Sequence, residues 1–157
     1  VPMPAGVDFA VLYQEKAKEA NINIDVVRET EDGYWSNVWL VKPFSLVSWG
    51  ARPTPDLILS LAYAGGAAWN ETHLDNERLN ELIVLARAEL NDDMRGEIYA
   101  EAQTIIRDEG GTIVALFANY LFGTSPNLSR ANQSLSADWT LDGHRASERW
   151  WYSSDSA

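Results

Sequence analysis

The residues best placed to do chemistry lie in the run Ser48-Trp49-Gly50-Ala51-Arg52-Pro53-Thr54-Pro55-Asp56. Here a guanidinium and a carboxylate stand on a backbone stiffened by two prolines, just after an aromatic residue and a glycine. Arg52 can take a carboxylate through a two-pronged hydrogen bond. It can equally form a surface ion pair. Asp56 can hold an ammonium group or cap a helix starting near Leu57. Trp49 can stack on a ligand or fill a core. This chemistry belongs to recognition, and no catalytic residue is assigned.

Other chemistries find less to work with. His73 and His144 are far apart and have no regular ligand spacing around them, so no metal site is expected. No Gly-x-Ser-x-Gly turn occurs, and Gly65-Gly66 lacks the lysine and glycine spacing of a phosphate loop. No cofactor is implied. Paired carboxylates of the glycosidase kind are conceivable at Glu77 and Glu81. Those two sit one helical turn apart on what reads as a solvated helix face.

Composition narrows the partners. The 157 residues fit one domain with a real core, and 46% hydrophobic content is inconsistent with disorder. A net charge of −11 argues against nucleic acid, whose phosphates require Lys and Arg, and against anionic lipid. The seven tryptophans are too many and too scattered for a single core stripe, so some of them are expected at a site or interface. Without cysteine there is neither disulfide nor thiol chemistry. No apolar stretch approaches the ~20 residues of a membrane-spanning helix. The chain opens Val1-Pro2-Met3-Pro4, with neither initiator methionine nor signal peptide, and is expected to be a piece of a longer protein.

The elements that must position Arg52 and Asp56 follow from periodicity. Helical spacing covers about Phe9 to Ala20. Ile22, Ile24 and Val26 alternate as a strand does. Glu31 or Asp32 can cap a helix over about Gly33 to Val41, stopped by Lys42-Pro43, and Phe44 to Trp49 reads as a second strand. Strand, helix, strand in about 30 residues predicts a right-handed βαβ unit. Leu57 to Ala64 suits a short helix, broken by Gly65-Gly66. Two amphipathic helices follow, opened by Asp75 or Asn76 and by Asn91 or Asp92, and should form an antiparallel hairpin closed by Gly110-Gly111. Thr112 to Phe117 is continuously apolar and predicts a buried strand. Residues 124–137 read as a loop, and the Trp-rich tail from Trp139 to Tyr152 should pack back on the body. The expected class is α/β, with α+β character at the margins: a small mixed sheet flanked by helices, in one domain over 1–157, with loop and returning tail from about 125.

An ordered series of short segments resembles a known family. Tyr34-Trp35-Ser36-Asn37-Val38-Trp39, Lys42-Pro43-Phe44 and Ser48 to Asp56 are similar to the solute-binding proteins of peptide/nickel-type ABC importers, extracellular solute-binding protein family 5. Ala67-Ala68-Trp69-Asn70, Asp75 to Leu82, Arg107 to Gly111, Phe117 to Tyr120, Asp142-Gly143 and Glu148 to Trp151 continue in the same order. The resemblance runs from about Phe9 to Tyr152. It implies one lobe of a two-lobe periplasmic binding protein, the C-terminal portion, whose missing N-terminal lobe carries the signal peptide and half the pocket. It implies capture of a peptide-like or other small solute for a membrane permease, with no enzymatic activity. The implied ligand-binding set is Trp49, Gly50, Arg52, Asp56, Trp69 and Asn70. Arg52 and the two prolines depart from the plainest peptide-binder pattern, so the solute need not be an ordinary oligopeptide. A lobe without its mate is expected to self-associate through its exposed interlobe surface, Trp49 included. Aromatic-rich acidic composition alone suggests the alternative of a carbohydrate-binding module or glycosidase. Such modules are usually β-sandwiches, which the predicted helical hairpin contradicts.

Overall fold

The computed structural model describes residues 5–119, 121, 123–130 and 140–153, without the side chains of 140 and 141. Tyr120, Phe122, Trp139 and the second half of the 124–137 loop, 131–137, lie outside the described residues. The chain divides into two compact units, Val1–Trp49 and Gly50–Ala157.

In the first unit α1 spans Gly6–Glu19 and α2 spans Glu31–Asn37. Asn21 ends the turn after α1 in a left-handed conformation that suits asparagine. The Gln14 side-chain amide donates to the Ile24 carbonyl, pinning the extended segment that follows. The N-cap of α2 is Thr30, not Glu31 or Asp32. Those two carboxylates occupy the first turn instead, where the helix dipole favours them. The helix also ends sooner than predicted, because Val38 and Trp39 both donate to the Tyr34 carbonyl and Leu40 turns left-handed. Tyr34 is only 2% exposed and its hydroxyl donates to the Leu46 carbonyl. Trp35 meets Tyr34 and Trp39 edge to face, with ring centroids 5.5 Å apart in both pairs.

The predicted strands at 22–27 and 44–49 join no ladder among the described residues, and Phe44 lies in a bend, so the expected βαβ unit is not formed there. The reason is physical. Alternation specifies an extended backbone with one apolar face, but a strand exists only once a neighbour supplies hydrogen bonds.

The second unit holds the core. Helix α3 runs Pro55–Ala62, with Pro55 in the first turn, where its missing N–H costs nothing. Helices α4 (Glu77–Ala88) and α5 (Asp92–Glu109) form the predicted hairpin. Asn76 caps α4 by accepting from the Leu79 amide at 2.9 Å, and Asn91 caps α5 by accepting from Asp93 and Met94, each at 3.0 Å. Such caps stabilise a helix by about 1 kcal/mol. The start of α4 lies against the end of α5, since Asn76 donates to Glu109 at 2.9 Å and Arg78 clasps Glu101 at 2.8 Å. Leu59, Leu79, Leu82, Ile83 and Ala102 make the buried cluster. Leu90, expected on the same inner face, lies beyond the end of α4 and is 91% exposed. Gly111 leaves α5 left-handed, with φ +68°.

Beyond the hairpin the outcome departs again from the predicted buried strand. Thr112 to Phe117 is free of helix, turn and bend and joins no ladder among the described residues, and Phe117 is 92% exposed. The only sheet among the described residues is an antiparallel pair, β1 (Leu128–Arg130) with β2 (Trp150–Tyr152), in the register Leu128 to Tyr152 and Arg130 to Trp150. The Arg130 guanidinium lies 6.0 Å from the Trp150 ring centroid. Two short turns of helix, α6 (Thr140–Gly143) and α7 (Ala146–Arg149), precede β2, joined by a 3.1 Å bridge from Arg149 to the buried Asp142. The tail thus enters a two-stranded sheet with residues 128–130, which read as loop in the sequence, where packing back on the body was expected. The fold is mixed and helix-rich, with one small antiparallel sheet where a mixed sheet was predicted.

Candidate functional site

Asp56 is the second residue of α3, one position inside the first turn. It is not the N-cap; that is Thr54, whose side chain makes no cap hydrogen bond. The backbone orientation set by Pro55 aims the Asp56 carboxylate across to the last turn of α4, at Arg87. Arg87 donates from Nε to both carboxylate oxygens, at 3.1 and 3.3 Å, and from Nη2 to Oδ1 at 3.0 Å. One turn further along α3, Ser60 accepts from Arg87 Nη2 at 2.7 Å and donates to Asp56 Oδ1 at 3.2 Å. The Asp56 side chain is 23% exposed and that of Arg87 57%, so the carboxylate is the sheltered partner.

Arg52 bends back, its Nη1 donating to the carbonyls of Gly50 at 2.9 Å and Ala51 at 3.3 Å. It shares with Asp56, Leu57, Ser60, Leu61 and Arg87 the lining of a groove of about 450 Å³, open to solvent. Two guanidinium groups, a carboxylate and a hydroxyl thus border two leucines. That arrangement can orient a small solute by hydrogen bonds while apolar walls shed water from it.

The structure therefore brings Arg52 and Asp56 together, with the Gly50 carbonyl as a support for Arg52. Trp49 is the last residue of the first unit and is half-buried. Trp69 and Asn70 lie on the loop between α3 and α4, outside the lining of the groove. Trp69 is largely exposed. Asn70 is buried, and its amide donates to the carbonyls of Ala64 at 3.1 Å and Leu74 at 2.8 Å while its oxygen accepts from Thr72 at 3.0 Å. Its hydrogen-bonding capacity goes into the shape of its own loop.

The same loop closes on Gly65. Its amide donates to Asn80 Oδ1 at 2.7 Å, and a Cβ there would stand 2.0 Å from Asp75 Oδ1. Glu77 and Glu81 are exposed, and Glu81 pairs with Arg78 at 3.3 Å, as on a solvated helix face. His73 and His144 are both exposed. No group of three His, Cys, Asp or Glu side chains suited to a metal occurs among the described residues.

Sequence reasoning missed Arg87 and Ser60. Ser60 left a local trace, since position i+4 from Asp56 shares its helix face. Arg87 left none, because its partner is 31 positions away on another helix.

Near the loop, burial pushes the Tyr63 phenol above the usual tyrosine value of 10.0; a hydrogen bond with Thr112 opposes the shift and the charge of Glu71 adds to it. A raised folded-state value means that the native state holds this proton more tightly than the unfolded chain does. The associated stability is complete below the unfolded value of about 10 and is lost as pH rises through the folded one. Thermal melts of Tyr63→Phe should therefore fall less steeply above pH ~10 than those of the parent chain. Equal slopes would show that Tyr63 is not responsible.

Compared with protein-family models, with curated proteins and with solved structures, the chain finds a match in none of the three.

Proposed function

We propose that the chain is part of the solute-capturing component of an ABC importer, working in the periplasm as one lobe of a two-lobe binding protein and delivering a peptide-like or other small solute to a membrane permease. The observation that carries this reading is the meeting of Arg52 and Asp56 on one groove, from the very segment on which the family resemblance is most detailed. Arg52 pins an anionic end of the solute. Asp56, held by Arg87 and Ser60, sets the position of that side of the groove. Leu57 and Leu61 carry the apolar part, and Trp49 enters the proposal through the sequence resemblance. Binding without bond-breaking is the activity, and closure of the two lobes on the solute is the signal to the permease.

Mass spectrometry of solute co-purified with the protein from its source, followed by calorimetric titration against peptides, opines and sugars, tests the proposal. One class should give saturable heat. A hydrogen bond between charged groups contributes roughly 1.5–3 kcal/mol, so Arg52→Ala should weaken that binding about ten- to a hundred-fold. If no solute is retained and none of the three classes binds, or if Arg52→Ala together with Trp49→Ala changes nothing, the reading is wrong.

A further inference from the structure

From Gly110 to Gly123 the chain carries no charged side chain, although the whole molecule has 23 Asp and Glu and a net charge of −11. Within this stretch Thr112 to Phe117 is free of helix, turn and bend. Ile113, Val114, Leu116 and Phe117 are all more than half exposed. Among the described residues, none of its backbone N–H or C=O groups takes part in a main-chain hydrogen bond. An uncharged run rich in β-branched residues and without proline, showing a row of unused backbone groups, is a template for a strand of another chain.

We propose that this segment pairs with the same segment of a second copy of the chain, antiparallel about a two-fold axis at Ala115. The strand supplies its own best partner. In that two-fold pairing Ala115 forms a hydrogen-bonded pair with its own copy, Val114 faces Leu116, Ile113 faces Phe117 and the backbone rows satisfy each other, which gives an isologous, closed contact. Charge selects this contact over others. Two copies at −11 repel, and a surface rich in carboxylates brings that repulsion into the interface, whereas this segment brings none. The dimer therefore tightens as salt screens the remaining long-range repulsion. This places self-association on Thr112–Phe117 and not on the surface around Trp49, and it holds whether or not the groove binds a solute.

Sedimentation velocity of the 157-residue chain over a concentration series, at low and high salt, is the test, paired with hydrogen exchange. The expected result is a monomer–dimer equilibrium that strengthens with salt, with amides 112–117 protected only at dimer-forming concentrations. Ala115→Pro removes a ladder donor and Phe117→Lys adds a charge, and each should weaken the dimer about ten-fold or more. Leu90→Lys, at an equally exposed apolar site elsewhere, should leave it unchanged. A chain monomeric to its solubility limit overturns the proposal. So does a dimer that survives both substitutions, loosens with salt, dissolves in Leu90→Lys, or leaves those amides unprotected.

Discussion

Leu79→Ala is expected to cost roughly 2–5 kcal/mol, the range for deleting a fully buried leucine side chain in a core that cannot collapse around the cavity. Leu79 has no exposed surface and packs in the cluster of Leu59, Leu82, Ile83 and Ala102 that joins α3, α4 and α5. A domain's whole stability is only about 5–15 kcal/mol, so this one change should consume a large part of it. Chemical denaturation followed by helical circular dichroism measures the effect. Leu85→Ala is the internal control. Leu85 stands on the same helix but is half exposed, and its loss should be well under half as large. Equal losses at the two positions would mean that α4 does not bury the face described here.

The second large effect belongs to Asn70→Ala. That change removes three hydrogen bonds at a buried position; the Ala64 carbonyl keeps its bond from the Ala67 amide, while the Leu74 carbonyl loses the Asn70 amide. An unsatisfied buried polar group costs about 1–3 kcal/mol, and a loss of that size is expected. Asn70→Asp should be no better, because a carboxylate cannot donate to either carbonyl. The neighbouring Trp69 reports on the loop, and its emission should shift to a more solvated value in both variants. Full stability in Asn70→Ala, with weakened solute binding, would instead place Asn70 among ligand contacts.

Much of the helical organisation was legible in advance. The hairpin of α4 and α5 follows from leucine and isoleucine spacing with an asparagine before each helix, and Asn76 and Asn91 are the caps observed. These are local signals, complete within one or two turns of chain. The strands were not legible in the same way. The segments at 22–27, 44–49 and 112–117 have the composition of strands, yet the ladder observed lies at 128–130 and 150–152, between partners too short to announce themselves.

The site divides along the same line. Composition and spacing by themselves determined the helical hairpin, narrowed its caps to Asp75 or Asn76 and Asn91 or Asp92, and gave the solvated face carrying Glu77 and Glu81 and a rigid Arg52-to-Asp56 corner with charged groups on it. Only the tertiary structure decided that Asp56 faces Arg87 and Ser60, that Asn70 turns inward, and that the most strand-like run of the chain lies exposed. The physical reason is range. Helix hydrogen bonds and caps close within four residues, so sequence neighbours specify them. An ion pair across two helices, or a ladder between two strands, depends on which distant segments arrive side by side.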